Sequence, residues 1–315
     1  METLHIITCV SNPLHWATRT AHAQTAIAEW LKEPNVTVTV AECLFGSNCD
    51  YRFAEHADGD RVVHVPLRAH TAAWSKENML NLALQRVGPE AHKVAFFDAD
   101  AVYRRPGWAT RILHTLDLYP VVQAWNQALD LGPQGQVLST FQSFASIWHL
   151  GHPITPIGTR FWNDSRYNYP HPGYHWAWQR GVLDKIGGLY EHAGMGAADH
   201  TMAVGMVGKW RLGVQRDMPQ GYMTSVGSWC DRAYAHIRGK IGFTHDVIEH
   251  PFHGKKANRA YQPRWEPFVR RGFDPNVDLK RNSYGVIEFA GNKPALELEW
   301  LNYLRARDED TNSLN

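Results

Sequence analysis

The chain has 315 residues, a formal net charge of +1 and 44% hydrophobic residues. That length and apolar content support a substantial core in one large α/β domain or two small ones, and the near-neutral charge excludes a global drive toward nucleic acid or membrane. No apolar run approaches a membrane span. The start Met1-Glu2-Thr3-Leu4-His5-Ile6 lacks the basic and apolar regions of a signal peptide, so a soluble, cytoplasmic protein is expected.

Residues 4–10 read as a buried strand that runs into the turn Ser11-Asn12-Pro13. A helix is expected over residues 20–31, which carry Ala21, Ile27, Ala28, Trp30 and Leu31. Residues 36–40, Val-Thr-Val-Thr-Val, have period 2 and high β propensity, and residues 61–65 form a third strand candidate. Ser75 stands as an N-cap before a helix with Met79, Leu80, Leu82, Ala83 and Leu84. Residues 93–97 are the next strand, giving an α/β layout with a largely parallel sheet. Beyond it, residues 120–124 and 174–179 read as strands and Leu131-Gly132-Pro133-Gln134-Gly135 as a turn. Residues 151–172 read as a long loop, of the kind that often carries function. Helices are expected over residues 180–186, stopped by Gly187-Gly188, and over 198–207 and 296–304. Residues 307–315 read as a disordered polar tail. No repeat or linker divides the chain, so one continuous domain over residues 1–306 is expected.

The strand at 93–97 ends in Asp98-Ala99-Asp100. Carboxylates at the C-terminal lip of a central strand sit where open α/β sheets bind ligands, and Mg²⁺ or Mn²⁺ takes one or two carboxylates plus substrate phosphates. The same tripeptide also occurs in plain strand-to-turn corners. His253-Gly254-Lys255-Lys256 offers a metal ligand and two cations for a diphosphate, or is an exposed basic loop. Asp199, at a helix start, is a cap or a general base. Trp176 and Trp178 share one side of a strand and either stack on a sugar or pack in the core. Lys76 lies near a helix start, where phosphate is readily met. Four cysteines, Cys9, Cys43, Cys49 and Cys230, are too few for a disulfide scaffold, and Cys43, Cys49 and His56 fit no common zinc spacing.

Taken in order, Ser11-Asn12-Pro13, Trp74-Ser75-Lys76-Glu77-Asn78, Phe97-Asp98-Ala99-Asp100, Gly173-Tyr174-His175-Trp176-Ala177-Trp178, Ile186-Gly187-Gly188-Leu189-Tyr190, Gly196-Ala197-Ala198-Asp199-His200 and His253-Gly254-Lys255-Lys256 resemble a GT-A fold glycosyltransferase. In detail the chain resembles phage and bacterial enzymes grouped with the base-J glucosyltransferase, including the TET-associated enzymes that glycosylate hydroxymethylated bases in DNA. The resemblance implies a Rossmann-like mixed sheet flanked by helices. Residues 1–100 would form the nucleotide-sugar-binding half and residues 101–306 the acceptor-binding half. It implies a metal-dependent, inverting hexosyltransferase using Mn²⁺ or Mg²⁺ and a nucleotide-sugar donor, most simply a UDP-sugar. Asp98, Asp100 and His253 match the metal site, and Asp199 the catalytic base, with His200 a second proton acceptor. Ser11, Asn12, Glu42, Lys76, Asn78, Lys255 and Lys256 match donor-binding positions. The implied acceptor is a hydroxymethylated pyrimidine in DNA, and in a phage-encoded enzyme the setting is the host cytoplasm. Arg259, Arg264 and Arg270, with Tyr234, Tyr261 and Trp265 interleaved, give residues 229–271 a basic, aromatic character that suits DNA. A glycan acceptor, or a non-catalytic sugar- or nucleic-acid-binding domain, stands as the alternative.

Overall fold

The computed structural model describes residues 2–46, 50–53, 61–154, 170–215, 217–261 and 263–311; Cys49, His56 and residues 155–169 of the long loop lie outside them. The chain begins with β1 (Leu4–Ser11), α1 (Ala17–Trp30), β2 (Val36–Phe45), β3 (Val62–Ala69), α2 (Lys76–Leu84) and β4 (Lys93–Phe96). There follow β5 (Val102–Tyr103), α3 (Trp108–Leu118), β6 (Val121–Gln123), β7 (Gln127–Leu131), β8 (Val137–Ser143), α4 (Phe144–His149), β9 (Pro170–His171) and β10 (Trp176–Gln179). Then come α5 (Arg180–Ile186), α6 (Ala198–Met206), α7 (Gln220–Ile237), β11 (Ile241–Phe243) and β12 (Val247–His250). The last elements are α8 (Glu266–Arg270), α9 (Pro275–Asp278), β13 (Leu279–Arg281), β14 (Ile287–Phe289) and α10 (Pro294–Ala306).

Seven strands make one mixed sheet, in the order β11-β6-β10-β4-β1-β2-β3. β1 is parallel to β2 and β4, and β10 runs antiparallel to both β4 and β6. Strand alternation sorts the side chains between two cores. Val94, Phe96, Trp176 and Trp178 join residues of α2, α5, α6 and α7 on one face. Ala95, Phe97 and Ala177 join α1 and α3 on the other. Helices therefore cover both faces, a three-layer α/β arrangement. With β10 between β4 and β6, Trp176 and Trp178 take the core-packing alternative, and both also line a small recess with Lys76, Asp98 and Asp199. The two rings are 8% and 1% exposed and serve the core.

A second, five-stranded sheet has the order β5-β12-β7-β8-β9. β7 and β8 form a hairpin whose turn is the expected one, with Gly132 N–H donating to Gln136 O at 2.7 Å. β12 lies parallel to β7 in a register that sets His250 beside Asp130. Two further expectations are corrected. Ser75 holds the N-cap position of α2, but its side chain makes no cap hydrogen bond. Residues 307–311 are not a free tail, because Arg307 and Glu309 are 8% and 1% exposed and partnered. No helix among the described residues is long and apolar enough to cross a membrane.

Candidate functional site

A cavity of about 710 Å³ lies at the C-terminal ends of β1 and β4, where open α/β sheets take ligands. Ser11, Lys76, Asp98, Asp100, Asp199, His253, Lys256, Arg259 and Arg264 all line it. Three lining residues with side chains, Tyr174, Ala197 and Ala260, hold left-handed backbone at φ 68°, 62° and 41°. Such strain costs on the order of 1–3 kcal/mol per residue and gathers at functional sites.

Asp100, His250 and His253 bring one ligand atom each within 4.8 Å of one another. Asp100 follows β4, His250 ends β12, and His253 stands three residues later. Nε2 of His250 lies 3.5 Å and Nε2 of His253 3.8 Å from Asp100 Oδ2. Burial alone would raise the Asp100 carboxyl, but His250, His253 and Arg259 hold it well below the usual carboxylate range. Burial, then Arg259 and His250, keep His253 neutral, the form that ligates metal. Burial would also lower His250, yet Asp100 and Asp130 raise it to about 9. Nδ1 of His250 donates to Asp130 Oδ1 at 2.9 Å. That carboxylate also accepts from the Tyr174 hydroxyl at 3.0 Å and pairs with Lys256. A carboxylate behind a histidine is the usual outer support of a metal ligand. Asp100 Oδ1 is buried with no hydrogen-bond partner among the described residues. Arg259 Nη2 donates to His253 Nε2 at 2.5 Å, so a guanidinium already lies against this ligand atom. One carboxylate and two imidazoles, with a buried oxygen left over, fit a divalent cation such as Mn²⁺.

Asp98 is not in that group; its carboxylate is paired with Lys76, the first residue of α2. Burial would lower the Lys76 ammonium, but Asp98, Glu77 and Asp199 raise it, so it stays charged. Glu77 is 4% exposed, accepts from Trp74 Nε1 at 3.2 Å, and is pushed up by burial to about 7. Asp199 lies in the first turn of α6, with Oδ1 accepting from His200 N–H at 2.8 Å. Its other oxygen faces Gly173, where a Cβ would stand 3.0 Å from Oδ2. His200 is 3% exposed, and burial lowers its imidazole to about 4. Its ring edge lies 3.0 Å from where a Cβ at Gly213 would be, and His200 also lines the cavity beside Asp199.

Several expected donor contacts are spent elsewhere. Asn12 ties the turn before α1, with Nδ2 donating to Trp16 O at 2.8 Å and Oδ1 accepting from Trp16 N–H at 2.9 Å. Glu42 is 3% exposed, accepts from Arg52 and Phe53 N–H at 2.7 and 3.1 Å, and pairs with His64 at 2.9 Å. Asn78 is fully buried, with Oδ1 accepting from Ile287 N–H and Nδ2 donating to Glu191. None of these three lines the cavity, and neither does Lys255. Among the expected acceptor contacts, Arg259 and Arg264 line the cavity, whereas Arg270 lies on the surface, paired with Glu299 at 2.7 Å. His250 and Asp130 were not singled out from the sequence. Their signal was a polar residue in each of two apolar strand stretches, and only the β7–β12 pairing joins them.

No family model and no curated protein matches this chain. Among solved structures it is similar to the mannosyltransferase PcManGT from Pyrobaculum calidifontis, in complex with GDP-Man and Mn²⁺, at 13% identity and a TM-score of 0.44, over 98% of this chain and 72% of that one. It is similar to S. aureus TarS 1-349 at 11% identity and a TM-score of 0.41, over 96% of this chain and 71% of that one. It is also similar to GalNAc-T7 with UDP, GalNAc and Mn²⁺ at 10% identity and a TM-score of 0.44, over 80% of this chain and 44% of that one.

Proposed function

We propose that this chain is a metal-dependent GT-A glycosyltransferase that moves a sugar from a nucleotide-sugar donor to a hydroxyl acceptor. The observation that carries the reading is convergence in one cavity. Asp100, His250 and His253 offer a cation site, Lys76 is a charged lysine on Asp98, and Asp199 supplies a third carboxylate. Asp100, His250 and His253 would hold Mn²⁺ or Mg²⁺, which when bound supplies a counter-charge for the leaving diphosphate. His250 gives up its proton to take that role. Lys76 adds a fixed positive charge beside Asp98. Asp199 accepts the proton of the acceptor hydroxyl as its oxygen attacks the anomeric carbon. One bond forms from that carbon to the acceptor oxygen while its bond to the diphosphate oxygen breaks, which gives inversion. We infer a UDP-linked hexose as donor.

For the acceptor, the basic segment at 229–271 does not single out DNA over a glycan: Arg270 and Arg271 share the single carboxylate of Glu299, which offsets part of their charge, and Arg259 and Arg264 face the cavity. The test is a hydrolysis screen of UDP- and GDP-sugars with Mn²⁺, followed by mass spectrometry of glycans and of hydroxymethylated DNA as acceptors. Turnover abolished by EDTA is the expected result. Full activity in excess EDTA overturns the reading, as does binding of nucleotide sugars without any turnover.

A further inference from the structure

The segment after α10 carries more contacts than its polar sequence announces. Glu309 accepts from Arg19 Nε at 2.9 Å and from Arg19 Nη2 at 2.6 and 2.7 Å, and pairs with Arg307 at 2.7 Å. Arg19 Nη1 donates in turn to Ser11 O, at the end of β1, at 2.6 Å. Asp310 accepts from the backbone N–H of Ala17 and of Thr18 at 2.9 Å each, and from Thr18 Oγ1 at 2.6 Å. It thereby caps α1, whose own N-cap residue, Trp16, makes no side-chain cap bond. The same segment lies on Gly254, the neighbour of His253. Gly254 has φ +84°, and a Cβ there would stand 2.9 Å from Asp308 O and 3.0 Å from Arg307 O. Asn258 Nδ2 donates to Arg307 O at 3.4 Å. Arg19, Arg307 and Glu309 all line the cavity.

We propose that residues 307–310 are a strap that positions the His253–Gly254 turn and Arg19 for cation and donor binding, with Glu309 and Asp310 as positioning residues. This rests on the reading of Asp100, His250 and His253 as the cation site. A tail that only stabilised the fold had no need to bury a carboxylate between two guanidiniums in the cavity wall, since taking such charges out of water is costly. The strap joins the three pieces that frame the donor end: the β1–α1 corner, the turn after β12 and the end of α10. Releasing it frees Arg19 and removes the backbone that Gly254 packs on.

The test uses the full chain with Glu309→Gln, Asp310→Asn and, as a control, Glu299→Gln, which breaks a surface pairing between α10 and the end of α8. Mn²⁺ affinity is read by calorimetry, donor KM and kcat by hydrolysis, and folding by thermal melting. Glu309→Gln should raise the Mn²⁺ dissociation constant by up to about 10-fold, the lower edge of what loss of a direct outer partner of a ligand does, because Glu309 acts through the turn and not on a ligand. It should also raise donor KM more than it lowers kcat. Asp310→Asn should move both quantities in the same direction, and Glu299→Gln should move neither. Asp310 is exposed, so its variant carries the comparison if Glu309→Gln does not fold. Wild-type values in both folded strap variants, or an equal shift in Glu299→Gln, overturn the strap alone. A wild-type protein that binds no Mn²⁺ overturns the cation reading and the strap with it.

Discussion

His175 offers a clean test of how burial shapes this fold. It is fully buried, its ring stacked on Phe97 at 3.8 Å and edge-on to Trp30 at 5.8 Å. Burial lowers its imidazole from 6.5 to about 3. The folded value lies below the unfolded one, so the unfolded chain takes up the proton first. Stability from this group is therefore intact above about pH 6.5 and is lost as pH falls toward 3. At pH 5 the unfolded value is about 1.5 pH units above the solution, and at 1.36 kcal/mol per unit the loss is about 2 kcal/mol. His175→Phe keeps a flat ring and removes the titration. It forfeits the hydrogen bond from His175 Nδ1 to the Tyr103 hydroxyl at 3.3 Å and the interaction with the Asp98 backbone, while that hydroxyl still donates to Ala124 O at 2.8 Å. Denaturant unfolding at pH 7.5 and pH 5 should show the wild type losing about 2 kcal/mol more than the variant between the two conditions. Repacking shifts the absolute stabilities, but the difference between the two pH slopes isolates the imidazole. Equal slopes for both proteins would refute the account of His175 as a neutral core residue.

Three further outcomes bear on the site. Asp100→Ala should abolish Mn²⁺ binding in calorimetry and nearly all turnover with the melting curve retained; retained Mn²⁺ affinity would remove Asp100 from the cation site. Asp199→Asn should leave donor affinity in place and cut sugar transfer by roughly 10²-fold or more, and a near-normal rate would assign proton transfer elsewhere. Trp178→Ala should cost about 3–5 kcal/mol in denaturant unfolding and leave donor KM unchanged in the folded protein, whereas a stable variant with raised KM would return Trp178 to ligand binding.

The parts legible in the sequence are those set by local pattern. β1, β2 and β4 show apolar runs or strict alternation, and α5 is bounded by Gly187 as expected. Lys76, Asp98, Asp100, Asp199 and His253 stand at element ends, where loops deliver side chains to the cavity. Helix α7 carries no clear helical pattern in its sequence, because small residues stand where it packs. Gly227 faces Trp210, whose ring would be 3.1 Å from a Cβ. Trp176 and Trp178 point to one side of β10 whether they face ligand or core, and only the neighbours β4 and β6 decide between the two. His250 and Asp130 are 120 residues apart and meet only through a parallel pairing that no local signal announces. Arg307, Glu309 and Asp310 look like solvated charge until α1 supplies their partners.

That last pairing bears on how the protein folds. The cap of α1 joins residues 293 positions apart, so the end of that helix is closed only once residue 310 is in place. Closing so long a loop is slow and follows most other contacts. A chain that has assembled the sheet but not this cap leaves Arg19 and the Gly254 turn without the packing of residues 307–310, so that corner of the cavity is completed late in folding.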